Sequence, residues 1–182
     1  MAASEASATR PGLTVGPTTE FSLMFHVKPG HAETLRQALE ALQNHPGYRP
    51  GDYDIPIISI HEARFVLFDD DTRLAFFTSF DGSWDAYMDD FFNTGPTLSL
   101  FDATFQHVEG YDGLPDMAAL KAFILGAEQT AVAYARNYPG TVKEIRKAQR
   151  VNEAFQRVLD DPAAAEALQH PALKPLLDEA AD

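Results

Sequence analysis

Two apolar runs in the middle of the chain, residues 58–68 and 73–80, are separated by a short acidic turn at residues 69–72. This pattern predicts a β-hairpin, because the two runs can pair while the polar turn stays in water. Asp81 and Gly82 end the second run, and large apolar residues then recur at the spacing of one helix face. They are Trp84, Tyr87, Met88 and Phe91. The sequence therefore predicts a hairpin that leads directly into an amphipathic helix.

A strand and a helix are predicted before the hairpin, and a fourth strand after it. Residues 20–28 alternate between apolar and polar side chains, which predicts a strand that ends at Pro29 and Gly30. Helical spacing of leucines and alanines over residues 35–42 predicts the first helix. The run at residues 102–109 predicts the fourth strand. The order β-α-β-β-α-β is the ferredoxin-like topology, an α+β class whose antiparallel sheet has the strand order 4-1-3-2.

The pattern divides the chain into three parts. Residues 1–18 are rich in small and polar residues without periodicity, which predicts a disordered tail. Residues 19–112 hold the ferredoxin-like domain. Residues 113–182 predict a C-terminal helical extension, in which two apolar helical stripes, residues 117–134 and 142–158, are separated by a proline and a glycine.

Composition narrows the classes of partner and chemistry. The 182 residues are 45% hydrophobic, which is enough for one domain with a core. The formal net charge of −13 argues against nucleic acid and against an anionic membrane surface as partners, because both attract clustered positive charge. The absence of cysteine excludes disulfides, thiolate nucleophiles and cysteine-ligated metals.

We expect a cytoplasmic protein with no membrane association. The first residues contain no apolar segment of the signal-peptide kind, and no stretch approaches the ~20 apolar residues that a membrane span needs.

The opening FSLMFHVKPGHAETLRQALEAL, at residues 21–42, is a strand, a tight turn and a helix. It resembles the start of the antibiotic-biosynthesis-monooxygenase type of dimeric α+β barrel. The HEARFVLFDDD run at residues 61–71 and the Phe-Asp-Gly step at residues 80–82 are similar to a bacterial family of unknown activity, and more distantly to heme-binding dye-decolourising peroxidases. The resemblance covers residues 19–109. It implies a homodimer that pairs through its sheets and a site for heme or an aromatic organic substrate.

The chain also departs from the peroxidase pattern. In the peroxidases a glycine stands three residues before the aspartate of the Asp-Gly step, and here Thr78 occupies that position. The chain has the length of one barrel half, whereas those peroxidases carry two.

Two histidines on predicted strands are candidates for an axial heme ligand or a general base. His61 alternates in phase with Ala63 and Phe65, which directs it toward an apolar layer, and His107 is likewise in phase with the apolar residues of its strand. A core or interface histidine with satisfied hydrogen bonds is the alternative for each. In the order 4-1-3-2 these strands are the two edges, roughly 14 Å apart, so the two histidines of one chain cannot share a metal.

Arg64, Asp81 and Trp84 complete the candidate set. Arg64 projects from a half-apolar strand and needs a carboxylate or a bound anion, or would polarise oxygen if heme were present. Asp81 is a candidate partner for Arg64 and a candidate catalytic carboxylate, or else a turn residue of its Asp-Gly step. Trp84 is either the wall of a ligand or cofactor pocket or a core side chain.

Two functions of different class remain open from the sequence. The first is a small oxidoreductase that binds heme or an aromatic organic substrate between sheet and helices. The second is a non-catalytic dimeric α+β barrel module that binds a small ligand or a partner protein.

Overall fold

The computed structural model of the protein describes residues 12–113 and 115–181. Its strands form one antiparallel sheet of order β1-β2-β4-β3. The strands are β1 (Thr14–Val15), β2 (Thr18–His26), β3 (Ile60–Phe68) and β4 (Arg73–Asp81). The central pair β2 and β4 holds the sheet together over nine residues each, and β3 forms the long outer edge.

Helices cover one face of the sheet. They are α1 (Ala32–Asn44), α2 (Trp84–Asn93), α3 (Gly95–Phe105) and α4 (Met117–Ala127). The N-termini of two of them are capped by side chains, since the Ser83 hydroxyl accepts from the Ala86 amide and the Asp116 carboxylate accepts from the Ala119 amide. These caps fix where the chain turns from loop into helix.

The core between the sheet and the helices is aromatic and tightly filled. Phe21, Leu23 and Phe25 of β2 point into it beside Leu74 and Phe76 of β4. Aromatic rings of the strands pack against aromatic rings of the helices. Phe80, for example, stacks on Tyr87 with the ring centroids 4.1 Å apart. A pocket at the centre of this core, lined by Phe21, Tyr87 and Phe101 among others, has about 10 Å³, which is room for one water molecule at most.

The predicted α+β class with its antiparallel sheet is confirmed, but the fourth strand is wrong. Residues 102–105 form the last turn of α3, and the chain reaches the end of β2 only after it, where Val108 bridges to Val27 and the Glu109 amide donates to the His26 carbonyl at 2.8 Å. The same run also fits a helix, because Thr97, Phe101, Thr104 and Phe105 are the buried positions and are spaced as one helix face. The edge of β2 that this strand was expected to occupy is held by β1 at one end and by Val108 at the other.

The predicted tail needs a correction as well. Residues 12–18 are part of the fold: β1 pairs with β2, the Glu20 amide donates to the Leu13 carbonyl at 2.8 Å, and Thr18 is fully buried. This short segment lacks a longer apolar pattern because it forms a sheet edge and a turn. Residues 1–11 of that predicted tail lie outside the described residues.

The chain separates into two units after Val142. The helix α4 belongs to the first unit, since Leu120 and Ile124 are buried in its core, so the predicted boundary after residue 112 falls too early. The second unit contains most of α5 (Val142–Leu159) and then α6 (Ala165–Leu168) and α7 (Lys174–Ala180), with short 3₁₀ turns before the last two. Among the described residues, no helix is long and apolar enough to cross a bilayer.

Candidate functional site

The face of the sheet opposite the aromatic core, here called the open face, carries most of the polar groups. Cross-strand partners on β2, β4 and β3 form rows that run across it. Next to the pair of Thr18 and Asp81 at the start of β2 lies a row, called the polar row, that consists of Glu20, Ser79 and Glu62. The next two rows are Ser22, Phe77 and Arg64, and then Met24, Ala75 and Val66. Charge is therefore concentrated at one end of the open face and apolar surface toward the other.

Residues 128–141, called the strap, cross the polar end of the open face. The strap begins where Glu128 bridges to Leu23 and the Gln129 amide donates to the Ser22 carbonyl at 2.9 Å. It ends where the Val142 amide donates to Asp81 Oδ2 at 2.7 Å. The predicted helical stripe to residue 134 is therefore wrong beyond Ala127, because the chain there pairs with the sheet instead of continuing α4.

A period of two in the strap sequence is the signal that the prediction missed. Alanines at 131, 133 and 135 alternate with larger residues at 132, 134 and 136, which is an extended rather than a helical pattern.

His61 lies on the open face and not in the apolar layer. The register of β3 against β4 shifts between Ile60 and Glu62, so His61 is the extra residue of a β-bulge. A bulge adds one residue to one strand and reverses the phase of the side chains before it. The prediction from alternation was therefore wrong for His61, although the phase that it gives for Phe65 is correct.

His61 and Asp81 contact each other directly, as members of one hydrogen-bonded cluster. His61 Nε2 lies 2.7 Å from Asp81 Oδ1, and the Thr18 hydroxyl donates to the same carboxylate oxygen at 3.1 Å. Arg136 of the strap donates to Thr18 Oγ1 and lies 3.5 Å from His61 Nδ1. An arginine can only donate, so this arrangement has Nδ1 accepting and the Nε2 proton directed at Asp81.

This cluster is closed to ligands. The side chain of His61 is 5% exposed and that of Asp81 is 16% exposed. Both imidazole nitrogens have partners within the chain, and Asp81 Oδ2 is taken by the Val142 amide. With both imidazole nitrogens engaged, the cluster fastens the strap to the sheet and offers no nitrogen lone pair to an iron.

Arg64 is separate from that pair. Its guanidinium lies over the ring of Phe77, 4.9 Å from the centroid, in the row beyond the polar row. It lines a cleft of about 330 Å³ between the strap and the open face. Within the described residues the cleft is also lined by Glu20, Ser22, Glu62, Phe77, Ser79 and Tyr134.

The cleft has one polar atom without a partner. Glu20 Oε1 accepts the Ser22 hydroxyl, but Glu20 Oε2 is buried and has no hydrogen-bond partner among the described residues. Above this row, burial raises the pKa of the Tyr134 phenol, the charge of Glu62 adds to the rise, and a hydrogen bond with Ser79 and the charge of Arg136 oppose it. Tyr134 is therefore neutral at physiological pH. Sequence reasoning did not select Glu20, Glu62 or Tyr134, because only the register and the strap bring them together.

His107 lies in the turn after α3 at the other end of the sheet. Its Nδ1 is 3.1 Å from Nδ1 of His31, and its carbonyl accepts from the Lys28 amide at 2.9 Å. Burial lowers the pKa of His107, and the charges of His31 and Lys28 lower it further. His107 is thus not on a strand. It lies beside the C-terminal end of β2, whereas His61 lies beside the N-terminal end, and the two ends are roughly 27 Å apart along the strand.

Trp84 opens α2 and is also remote from the cleft. Lys121 Nζ lies over its ring, 5.4 Å from the centroid, and its indole Nε1 is buried without a hydrogen-bond partner among the described residues. It lines a second cleft, of about 260 Å³, beside the turn between β1 and β2. The structure therefore brings His61 and Asp81 together and leaves Arg64, Trp84 and His107 at three other places.

The residues do not fit the heme that the resemblance implies. The pocket at the centre of the aromatic layer has about 10 Å³ and the cleft between α1, α3 and β3 about 220 Å³, both below the roughly 300–1,000 Å³ of organic cofactor sites. His61 is enclosed by its own partners and His107 faces His31. Within the described ranges, no group of three or more histidines and carboxylates is arranged to hold a metal ion.

Comparison with known proteins identifies similar structures only. No family model and no curated protein matches the sequence. A putative antibiotic biosynthesis monooxygenase from Nitrosomonas europaea is 14% identical, and the match covers 57% of this chain and 96% of that one with a TM-score of 0.39. The tetracenomycin F2 cyclase of Streptomyces glaucescens, a type-II polyketide cyclase, is 10% identical over 66% of this chain and 98% of that one, also with a TM-score of 0.39.

Proposed function

We propose that the protein is a small-molecule-binding module whose ligand lies in the cleft between the strap and the open face. The observation that supports this most is the carboxylate of Glu20: the residue lines a cleft of about 330 Å³, and its Oε2 is buried without a hydrogen-bond partner in the described part of the chain. A buried acceptor without a donor is unfavourable, and a bound molecule would supply the donor. The cleft lies within the size range of small-ligand sites and combines aromatic walls with a few polar groups.

Binding, rather than a reaction, is what this geometry supports. The described side chains that line the cleft include no histidine, and His61 is engaged by Asp81 and Arg136. The oxidoreductase activity that the sequence resemblance implies stays a prediction. An absorption spectrum with added heme and an oxygen-uptake assay with ligands that bind the cleft would test it.

A fragment screen with two variants of Tyr134 tests the proposal. We expect ligand-observed NMR to find fragments that bind the chain and lose at least about tenfold in affinity in Tyr134→Ala, since that change removes an aromatic wall of the cleft. Tyr134→Phe keeps the wall and should retain most of the affinity. Fragments that bind Tyr134→Ala as well as the natural chain, or the absence of any bound fragment, would refute the proposed site.

We propose further that two chains pair through the apolar part of the open face. Val66 is 40% exposed on β3, and its row with Met24 and Ala75 lies beyond the residues that the strap covers. A sheet with helices on one face leaves such a surface to be buried by a second copy.

Light scattering at micromolar concentration tests the pairing. The expected mass is twice the 20.0 kDa of one chain, and Val66→Glu should shift it toward one chain. Val151→Glu, which adds the same charge at another exposed valine, should not. A monomer mass for the natural chain would exclude the dimer.

A further inference from the structure

The chemistry of the cleft floor selects the kind of ligand that it can hold. Glu20 and Glu62 lie on either side of Ser79, each directly opposite it in the register. The backbones of β2 and β3 are therefore two strand spacings apart, roughly 10 Å, so both carboxylates can approach one group placed above Ser79. Such a pair of carboxylates around a small space is suited to a donor that carries positive charge.

Glu20 is the group that most needs that donor. Its Oε1 accepts the Ser22 hydroxyl, while its Oε2 is enclosed and has no partner among the described residues. The guanidinium of Arg64 is one row farther on, over Phe77, and makes no hydrogen bond to either glutamate in the described part of the chain. The guanidinium of Arg64 is therefore close to Glu20 but does not hydrogen-bond Glu20 Oε2.

Tyr134 closes the polar row from above. Tyr134 lines the cleft together with Glu20, Glu62 and Ser79, and the charge of Glu62 is close enough to raise the pKa of the phenol. The ring of Tyr134 thus forms an aromatic wall beside the two carboxylates. An aromatic ring beside two carboxylates is a recurring environment for organic ammonium ions, which gain from both kinds of contact.

We infer that the cleft binds a small organic ammonium ion, with the nitrogen in the polar row between Glu20 and Glu62 and the carbon skeleton over Phe77. This inference rests on the proposed function, and it names the ligand class of that site. An ammonium group supplies the donor that the Glu20 carboxylate lacks and is attracted by the charge of Glu62. An alcohol both donates and accepts but carries no charge, and a carboxylate is repelled by both glutamates.

Three probes with the same ring test the ligand class: benzylamine, benzyl alcohol and benzoate. We expect benzylamine at neutral pH and low salt to bind at least about tenfold more tightly than the other two, measured by amide shifts around Ser79. Glu20→Gln and Glu62→Gln should each weaken benzylamine by about tenfold and leave benzyl alcohol nearly unchanged. Glu109→Gln, which removes an exposed carboxylate outside the cleft, is the matched control.

The outcomes separate the ligand class from the site itself. Equal affinity for the three probes, or benzylamine binding that is indifferent to Glu20→Gln and Glu62→Gln, overturns the ammonium inference and leaves the proposed cleft in place. If neither these probes nor any fragment of the screen moves the resonances of the cleft, the proposed function fails and the inference with it. Since Glu62 is exposed, Glu62→Gln is expected to fold, and its amide spectrum verifies this.

Discussion

Asp81 connects three segments of the chain through its two carboxylate oxygens. Oδ1 accepts hydrogen bonds from His61 and Thr18, and Oδ2 accepts a hydrogen bond from the Val142 amide. Asp81→Asn replaces one acceptor by an amide donor, which leaves an enclosed N–H without a partner. We expect a loss of about 1–3 kcal/mol in the free energy of unfolding, measured by urea denaturation.

Asp89→Asn on the exposed side of α2 is the control for Asp81→Asn. It makes the same chemical change where water can hydrogen-bond the amide, so its effect should be within about 0.5 kcal/mol. Equal stability of the two variants would show that Asp81 does not fasten the strap.

His107 makes stability depend on pH. Its pKa in the folded protein is lowered, chiefly by burial, so the folded state binds fewer protons than the unfolded chain when the pH falls. The stability associated with neutral His107 is present above the ordinary histidine pKa of about 6.5 and is lost as the pH falls below it toward the folded-state pKa. The natural chain should therefore lose more stability than His107→Gln between about pH 8 and about pH 5.

His26→Gln removes another histidine, an exposed one at the end of β2, and should leave that pH difference in place. Urea denaturation of the three proteins at both pH values is the measurement. An identical pH dependence of the natural chain and His107→Gln would contradict the origin assigned to it.

Single residues also show where sequence reasoning reaches its limit. Alternation along β3 gives the correct face for Phe65 and Arg64, because the ladder is regular there. It fails at His61 because a bulge is set by the pairing of two strands and leaves no mark in the local pattern. The contact of His61 with Asp81 therefore depends on the register of β3 against β4, which the local sequence pattern does not contain.

The strap is the element on which the proposed site depends. Arg136 donates to Thr18 Oγ1 and to the Gly140 carbonyl at 3.2 Å, and its guanidinium lies over Tyr138. We expect Arg136→Ala to release the strap, seen as faster hydrogen exchange at the amides of Gln129 and Val142, which donate to the sheet.

Arg136→Lys keeps the charge but not the planar fork of donors. Exchange at Gln129 and Val142 should therefore lie between those of the natural chain and Arg136→Ala. Unchanged exchange in Arg136→Ala would mean that the strap is held by other contacts.

Most elements follow from local patterns, and the exceptions have a common cause. The helix α1, the hairpin of β3 and β4, and α2 have a clear period and one buried face. Residues 102–109 are ambiguous locally, because a short apolar run fits a helix or a strand equally well. Packing of Phe101 and Phe105 into the core decides for the helix there, whereas pairing of Glu128 and Gln129 with β2 ends α4 before the strap. Both are long-range contacts, which a local pattern does not contain.

At the scale of the whole molecule, the filled core moves the candidate site to the other face of the sheet. The sequence indicated a ligand between sheet and helices, where the aromatic centre leaves about 10 Å³ and the outer cleft beside β3 about 220 Å³, against about 330 Å³ beneath the strap. Close packing of this kind depends on side-chain rotamers across several elements, so the aromatic content of the sequence did not distinguish a filled core from a ligand pocket.

Methyl NMR of the full chain during a fragment titration tests this placement most directly. Ala131 and Ala133 line the cleft, whereas Met88 and Ile124 line the interior space, so their methyl groups report on the two locations separately. The account predicts saturable shifts at Ala131 and Ala133 with Met88 and Ile124 nearly unmoved. Shifts centred on Met88 and Ile124, with the alanines unaffected, would place the ligand between sheet and helices and contradict it.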